Sequence, residues 1–279
     1  MQLHTASRET VSLDGTWQAI PDPYRSFQDS WFSDEATAPV ENPPSPADYD
    51  VDDGFPVEIP GCLGEQLPEF EYYEGLVWHT RRFDWDGESE RLFLRFGAVN
   101  YEAEVWLNGT RLDTHEGGYT PFAVEITDQV TREDNLLVVG VDSTRREDAI
   151  PAPETDWFNF GGISRSVELV AVPETFVRNV KVEPSVGETV SASVTAWIDG
   201  EEPGDVHATV PDLDAEVPLE GDGTDGELTR FSGDLTFDRD APELWYPGDP
   251  ALYDACVETD HDAVEVRTGF REVDVEGSN

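Results

Sequence analysis

NYEAEVWLNGTRLDTHEGGYTPF, residues 100–122, is the stretch that decides the fold of this chain. Ala103, Val105 and Leu107 alternate with Glu104, Trp106 and Asn108. That is the period-2 pattern of a strand with one buried and one exposed face. Asn108 and Gly109 both tolerate positive φ, so they predict a two-residue type I′ turn whose twist matches the flanking strands. The return arm runs into Gly117, Gly118, Tyr119, Pro121 and Phe122, a glycine pair and aromatic cluster that predicts a loop packed closely over other structure. Asn108-Gly109-Thr110 is also a glycosylation sequon, but the turn chemistry already accounts for it.

Working outward, a strand is expected over 13–20, then a long irregular stretch over 21–60 containing Asn42-Pro-Pro-Ser-Pro46 and Asp50-Val-Asp-Asp-Gly54. Connections of this length are uncommon inside a compact domain. Further strands are expected over 76–83, 91–96, 103–107, 122–126, 136–141 and 167–172, with a single helical turn near Thr127 and Asp128. From Phe176 the texture changes to short alternating segments over 176–182, 190–198, 206–210, 227–235 and 253–258, separated by Gly-, Asp- and Pro-rich turns. Spacing of this kind fits a small immunoglobulin-like sandwich. The chain is thus read as all-β, with no helical region of any length and no internal repeat.

Composition bounds the function. The formal net charge of -44 arises from 61 acidic residues against 17 basic ones, of which Lys181 is the only lysine. Self-repulsion on this scale opposes compaction at low ionic strength, whereas at 1 M salt the Debye length falls to ~3 Å. Dispersed acids with almost no lysine point to adaptation to a salt-saturated cytoplasm, as in a halophile. No basic stripe exists to neutralise phosphates, which excludes nucleic-acid binding. Cys62 and Cys256 lie far apart, requiring no disulfide and fitting a reduced compartment. The N-terminus has no apolar leader core and no run approaches the ~20 apolar residues of a membrane span, so a soluble, cytoplasmic chain with no membrane partner is expected. The histidines at 4, 79, 115, 207 and 261 show no ligand-like spacing, two distant cysteines make no zinc site, and no nucleotide fingerprint occurs; no metal or cofactor is expected. Asp50–Gly54 and Asp222–Gly226 have the flavour of calcium loops without the terminal glutamate.

Motifs on both sides of the hairpin extend the reading: SLDGTWQ (12–18), IPG (59–61), YEGLVWHTRRF (73–83), NLLVVGVD (135–142) and DWFNFGGISRSVEL (156–169), with LWYPGDPALY (244–253) and TGFREV (268–273) near the end. In this order they resemble glycoside hydrolase family 2, with wording similar to β-glucuronidases and, more distantly, β-galactosidases. The resemblance implies a galactose-binding-like jelly-roll sugar-binding domain over 1–175, an immunoglobulin-like β-sandwich over 176–275 and a tail over 276–279. It also implies that the third domain of such enzymes, a (β/α)₈ barrel carrying both catalytic carboxylates, lies outside this sequence.

Glycoside hydrolysis needs two carboxyl groups at a set separation, ~5–5.5 Å in retaining enzymes. The family's acid/base glutamate directly follows an asparagine, and the chain contains no Asn-Glu dipeptide. No catalytic residue is therefore expected here. The resemblance gives Asp156 the position of an aspartate that projects into the barrel's mouth and hydrogen-bonds the sugar. Charge-assisted bonds suit that role. The alternative is a turn aspartate capping local amides. Trp157 and Phe158 are candidate pocket-lining residues. Asn159 is a candidate substrate contact whose plainer role is to stabilise the loop; Gly161 and Gly162 free the backbone, and Arg165 is expected to pair with an acid. Trp78, Trp106, Tyr119 and Phe122 are read as core or rim, with stacking on a sugar as the other option.

Partners follow from the same resemblance: a carbohydrate glycoside, a separately encoded catalytic barrel, and a homo-oligomer. The functional readings are a non-catalytic N-terminal portion framing the sugar site of a family 2 glycosidase, a stand-alone carbohydrate-binding module, or a degenerate remnant.

Overall fold

The computed structural model describes residues 8–25, 54–238 and 241–273. These form two compact units, one spanning Thr10–Ala171 and the other built from Val172 onward together with the N-terminal residues up to Glu9. The first carries strands β1 (Thr10–Ser12), β2 (Gly15–Pro21), β3 (Phe55–Ile59), β4 (Leu76–Phe83), β5 (Arg91–Phe96), β6 (Val99–Asn100), β7 (Glu102–Leu107), β8 (Thr110–Glu116), β9 (Phe122–Glu125), β10 (Asn135–Asp142), β11 (Gly162–Ile163) and β12 (Val167–Val172), with a four-residue helix α1 (Leu63–Gln66). A six-stranded sheet in the order β3-β2-β4-β10-β7-β8 and a four-stranded sheet in the order β1-β12-β5-β9 make the jelly-roll sandwich.

The hairpin sits in this frame as its pattern predicts. β7 and β8 are antiparallel, Leu107 faces Thr110, and the turn residues Asn108 and Gly109 have φ of 50° and 81°. Ala103, Val105 and Leu107 point into the main core beside Trp17, Phe96 and Val139. The opposite face is less exposed than the alternation implied. Trp106 joins Trp78, Ile20, Leu76, Leu136 and Val138 in a second apolar cluster there, all below 9 % exposed. Directly opposite Trp78 is Gly140, where a Cβ would come within 2.6 Å of the indole. That glycine is therefore required by close packing, not by flexibility.

Asn108 does more than turn the chain. Its Nδ2 donates to Gln129 O (2.8 Å) and Asn135 Oδ1 (3.0 Å), while its Oδ1 accepts from Leu136 N (2.9 Å). The amide that a glycan would need is thus already engaged. Near Thr127 the chain makes one turn, with Gln129 N and Val130 N both donating to Ile126 O.

One expected irregular region contains a strand. β3 pairs with β2, burying Val57 and Ile59. Pro56 masks it in the sequence but is tolerated because β3 is the sheet's edge. Residues 26–53, including the Asn42–Pro46 run and most of Asp50–Gly54, lie outside the described residues.

The second unit holds β13 (Phe176–Val186), β14 (Val190–Asp199), β15 (His207–Val210), β16 (Ala215–Pro218), β17 (Glu220–Asp225), β18 (Leu228–Phe237), β19 (Tyr253–Glu258) and β20 (Ala263–Thr268). They form sheets β13-β14-β18-β17 and β16-β15-β19-β20, an immunoglobulin-like sandwich. Val180, Val194, Ala208, Val257 and Phe270 fill its core. A buried ion pair is built into it: Arg8 Nη2 lies 2.5 Å from Asp262 Oδ2 and also donates to Val177 O at 2.8 Å. In the Asp222–Gly226 run, which lacks the terminal glutamate of a calcium loop, Asp222 accepts from Arg230 (2.7 Å) and Ser232 (2.8 Å). No helix among the described residues is long and apolar enough to cross a membrane.

Asn108 offers a direct test. Replacing it by glycine keeps the turn's φ but removes three side-chain hydrogen bonds, each worth about 1 kcal/mol net. Asn108→Gly should lose about 2 kcal/mol of unfolding free energy in denaturant titration, and Asn108→Ala more, because alanine also resists positive φ. Equal stability of Asn108→Gly and the parent would show that only the turn matters.

Candidate functional site

The segment between β10 and β11 carries the residues singled out from the sequence, and two side chains hold it in place. β11 pairs with β6, so Gly162 faces Asn100 and Ile163 faces Val99. Gly61 N donates to Ile163 O at 2.9 Å, and a Cβ on Gly162 (φ 137°) would meet Gly61 O at 2.8 Å. The Ile59-Pro60-Gly61 and Gly161-Gly162-Ile163 motifs are therefore two halves of one close contact.

Asn100, only 2 % exposed, donates from Nδ2 to Asn159 Oδ1 (3.0 Å) and to Phe160 O (2.9 Å). Asn159 in turn donates to Ser143 O. Its amide is engaged by the scaffold, which supports the plainer of its two expected roles. On the other flank Arg145 uses its fork: Nη1 donates to Thr155 O (2.9 Å), Nη2 to Trp157 O (2.7 Å), and Nε to Glu74 Oε1 (2.8 Å). The guanidinium thus grips the carbonyls on both sides of Asp156.

Asp156 itself is exposed, and its carboxylate makes no hydrogen bond or ion pair among the described residues. The expected alternative, a turn aspartate capping nearby amides, lacks its hydrogen bonds here. Trp157 (62 % exposed) and Phe158 (50 %) flank it. Phe158 lies 5.6 Å from the ring of Tyr72 and 5.9 Å from that of Phe160, both also exposed. A solvent-facing carboxylate beside a row of exposed aromatic rings can accept hydroxyl hydrogen bonds while a ring stacks on an apolar face.

The other aromatic residues are architectural or peripheral. Trp78 and Trp106 are buried; Phe122 stacks on Phe96 and His115, with centroids 4.9 and 4.1 Å apart. Tyr119 is exposed, and Arg165, expected to meet an acid, donates to the Tyr119 carbonyl at 3.4 Å instead. Its exposed position leaves it to solvent and a neighbouring carbonyl, without burial to demand a carboxylate.

Behind the loop lies a small cavity of about 20 Å³ lined by Glu71, Tyr73, His79, Ser143, Asn159 and Phe160, among others. His79 is 2 % exposed, its Nδ1 has no partner, and burial lowers its pKa from 6.5 to about 4. The thiols offer no nucleophile. Burial, with the Glu65 carboxylate beside it, pushes Cys62 up to about 12; burial pushes Cys256 up to about 11. Among the described residues no group of three or more His, Cys, Asp and Glu is arranged to hold a metal ion.

The described units are two β-sandwiches, and the comparisons agree on what they are. The sequence model for "Glycosyl hydrolases family 2, sugar binding domain" matches residues 10–173, and that for "Glycosyl hydrolases family 2" matches residues 175–271. The chain belongs to glycoside hydrolase family 2. It is similar to a beta-glucuronidase of Paenibacillus borealis, 27 % identical over 311 residues, covering 98 % of this chain and 47 % of that protein. It is also similar to the beta-galactosidase large subunit of Leuconostoc lactis, 28 % identical over 211 residues, covering 71 % of this chain and 32 % of that one. The structure of Bifidobacterium dentium beta-glucuronidase complexed with coumarin-3-O-glucuronide shares the fold, with a TM-score of 0.82 at 23 % identity over 99 % of this chain and 50 % of that one. The chain spans half or less of the length of each of these proteins.

Two residues that shape the site were not singled out from sequence. Asn100 opens the deciding stretch, yet nothing in its context marks it as a rivet to residues 159 and 160. Arg145 sits in a charged run, Thr-Arg-Arg-Glu-Asp, that reads as solvated surface.

His79 gives a pH prediction. Its folded pKa lies below its unfolded value, so the unfolded chain takes up the proton first. Stability should be full above about pH 6.5 and decline toward pH 4, by on the order of 3 kcal/mol from this group. Denaturant midpoints between pH 4 and 7 should fall more steeply for the parent than for His79→Gln; parallel curves would exclude His79 as the cause.

Proposed function

We propose that this chain is the non-catalytic portion of a family 2 glycosidase of the β-glucuronidase/β-galactosidase type, and that the loop around Asp156 forms one wall of the sugar site completed by a catalytic module. The observation that carries this reading is the Asp156 carboxylate: exposed, without a partner among the described residues, on a stretch of backbone whose carbonyls at 155 and 157 are held by the Arg145 fork. A scaffold that orders a peptide so firmly around a carboxylate it does not use leaves that carboxylate ready for a ligand. Asp156 accepts sugar hydroxyls, Trp157 and Phe158 line the site, and Asn159 holds the loop. No catalytic carboxylate pair is assigned to this chain. A catalytic barrel supplied as a separate subunit and assembly into a homo-oligomer belong to the same proposal.

The second reading, a carbohydrate-binding module that works alone, draws on the exposed Tyr72, Phe158 and Phe160 row, which could bind a sugar without a second wall. Reconstitution separates the two. The chain alone should not hydrolyse aryl β-glucuronides or β-galactosides. Mixed with a family 2 catalytic barrel it should support turnover, and Asp156→Ala should reduce kcat/KM by about a hundredfold or more, the scale of losing a charge-assisted contact that acts in the transition state. Steady turnover by the monodisperse chain alone, or no effect of Asp156→Ala in the mixture, would overturn the proposal. Tight sugar binding by the chain alone would favour the second reading.

The charge of -44 belongs to this reading as a statement about solvent. A salt-rich, reducing cytoplasm of a halophile fits both the acidic excess and the two free thiols. Raising KCl from about 0.15 to 2 M should raise Tm by about 10 °C or more as self-repulsion is screened. A Tm that is flat or falls with salt would remove the halophilic reading.

A further inference from the structure

The second unit contains a groove that the proposed sugar site does not use. It has a volume of about 480 Å³ and is lined by Pro184, Trp245, Leu252, Arg267, Thr268, Gly269 and Arg271. Its construction follows from one buried ring. Phe270 is fully buried, packed against Phe237 (5.1 Å) and Tyr253 (5.7 Å), in an extended segment bridged to Leu244. Because side chains alternate along extended chain, burying Phe270 turns positions 269 and 271 outward. Trp245 N donates to Phe270 O at 2.7 Å, which brings Trp245 alongside. Gly269 leaves the floor bare: a Cβ there would stand 3.0 Å from Ala251 O and 3.2 Å from Leu252 Cδ2.

The charge of this groove runs against that of the chain. Two of its lining residues are arginines and none is acidic, in a sequence with 61 acids and 17 bases. Arg267 is neutralised by Asp254, at 2.7 and 3.1 Å. Arg271 makes no ion pair or hydrogen bond among the described residues; its guanidinium lies over the Trp245 ring, 5.2 Å from the centroid. Stacking on an indole holds a guanidinium by its face and leaves the in-plane N–H donors free. Those donors match a carboxylate in a bidentate pair.

We infer that this groove binds a carboxylated saccharide, with the uronate carboxylate on the in-plane donors of Arg271 and the sugar ring against Leu252 and the open part of Trp245. The remaining donors of Arg267, which faces the same side as Arg271, are placed for ring hydroxyls. The volume lies within the ~300–1,000 Å³ range of small-molecule sites, whereas a stable protein partner would need ~800 Å² of surface on each side. This favours a saccharide over an acidic polypeptide. The inference does not depend on the role proposed for Asp156, which lies in the other unit.

Calorimetric titration of the Asp156→Ala variant in 1 M KCl, with methyl β-glucuronide, methyl β-glucoside and glucose 6-sulfate as probes, tests it free of the first site. The glucuronide should bind at least tenfold more tightly than the glucoside, and Arg271→Gln should abolish that preference while Arg271→Lys keeps part of it. Arg271 is exposed, so neither variant should unfold the domain, and unchanged Tm would confirm this. Equal binding of glucuronide and glucoside, no binding of either, or an undiminished preference in Arg271→Gln would overturn the inference. A preference for the sulfate ester over the glucuronide would overturn its assignment to a carboxylate.

Discussion

The side chain of Asn100 joins the part of the first unit that determines its fold to the loop that carries Asp156. Its backbone ends the short strand that pairs with Gly162, and its buried amide reaches Asn159 and Phe160. A polar group this deeply buried costs about 1–3 kcal/mol when left unpaired, so its two donor bonds are not optional. They tie the entrance of the 102–116 hairpin to the exit of the Asp156 loop. Asn100 Oδ1 is already buried without a partner, so pulling the loop away from the sandwich would leave the Nδ2 donors unsatisfied as well, which sets an energetic cost on loop movement from the scaffold side. Arg145 adds a second restraint on the opposite flank through a fork anchored by Glu74.

Together these restraints explain how an exposed loop can have a defined shape without burying its own side chains. The backbone carbonyls of residues 155, 157 and 160 are taken up by Arg145 and Asn100. The side chains of Asp156, Trp157 and Phe158 are then free of structural duty and point to solvent. Exposed aromatic rings cost hydrophobic free energy, roughly 25 cal/mol for each Å² left in water. Three such rings beside an unspent carboxylate form a surface that gains by being covered.

The fold was legible wherever one face of a strand is buried and the other is not. Alternation at 103–107, the uninterrupted apolar run at 136–141 and the Asn-Gly turn each map onto one local backbone state, and the structure has all three. β3 is hidden in the sequence because its edge position excuses a proline that a central strand would not allow. Trp106 lies on the polar side of that alternation yet is buried, in keeping with its reading as core or rim, because alternation reports direction and not what covers the far side. The site was half legible. Family wording picks out the loop's side chains, whereas Arg145 and Asn100 act on backbone carbonyls. A carbonyl belongs to every residue type, so no sequence pattern betrays which ones are bound.

The arginines give the last link between composition and site. With 17 basic residues among 61 acids, a guanidinium has many possible carboxylate partners, and most described arginines take one. Exposed pairs of this kind contribute little, about 0–1 kcal/mol, and less in salt. Three arginines do more than form an exposed pair. Arg8 is buried with Asp262 inside the second unit, where the pair is shielded from screening and removing either partner would leave an uncompensated charge. Arg145 spends two of its donors on carbonyls although carboxylates abound. Arg271 is held over an indole with its donors on the surface and no carboxylate on them among the described residues, which is the arrangement the proposed anion site requires.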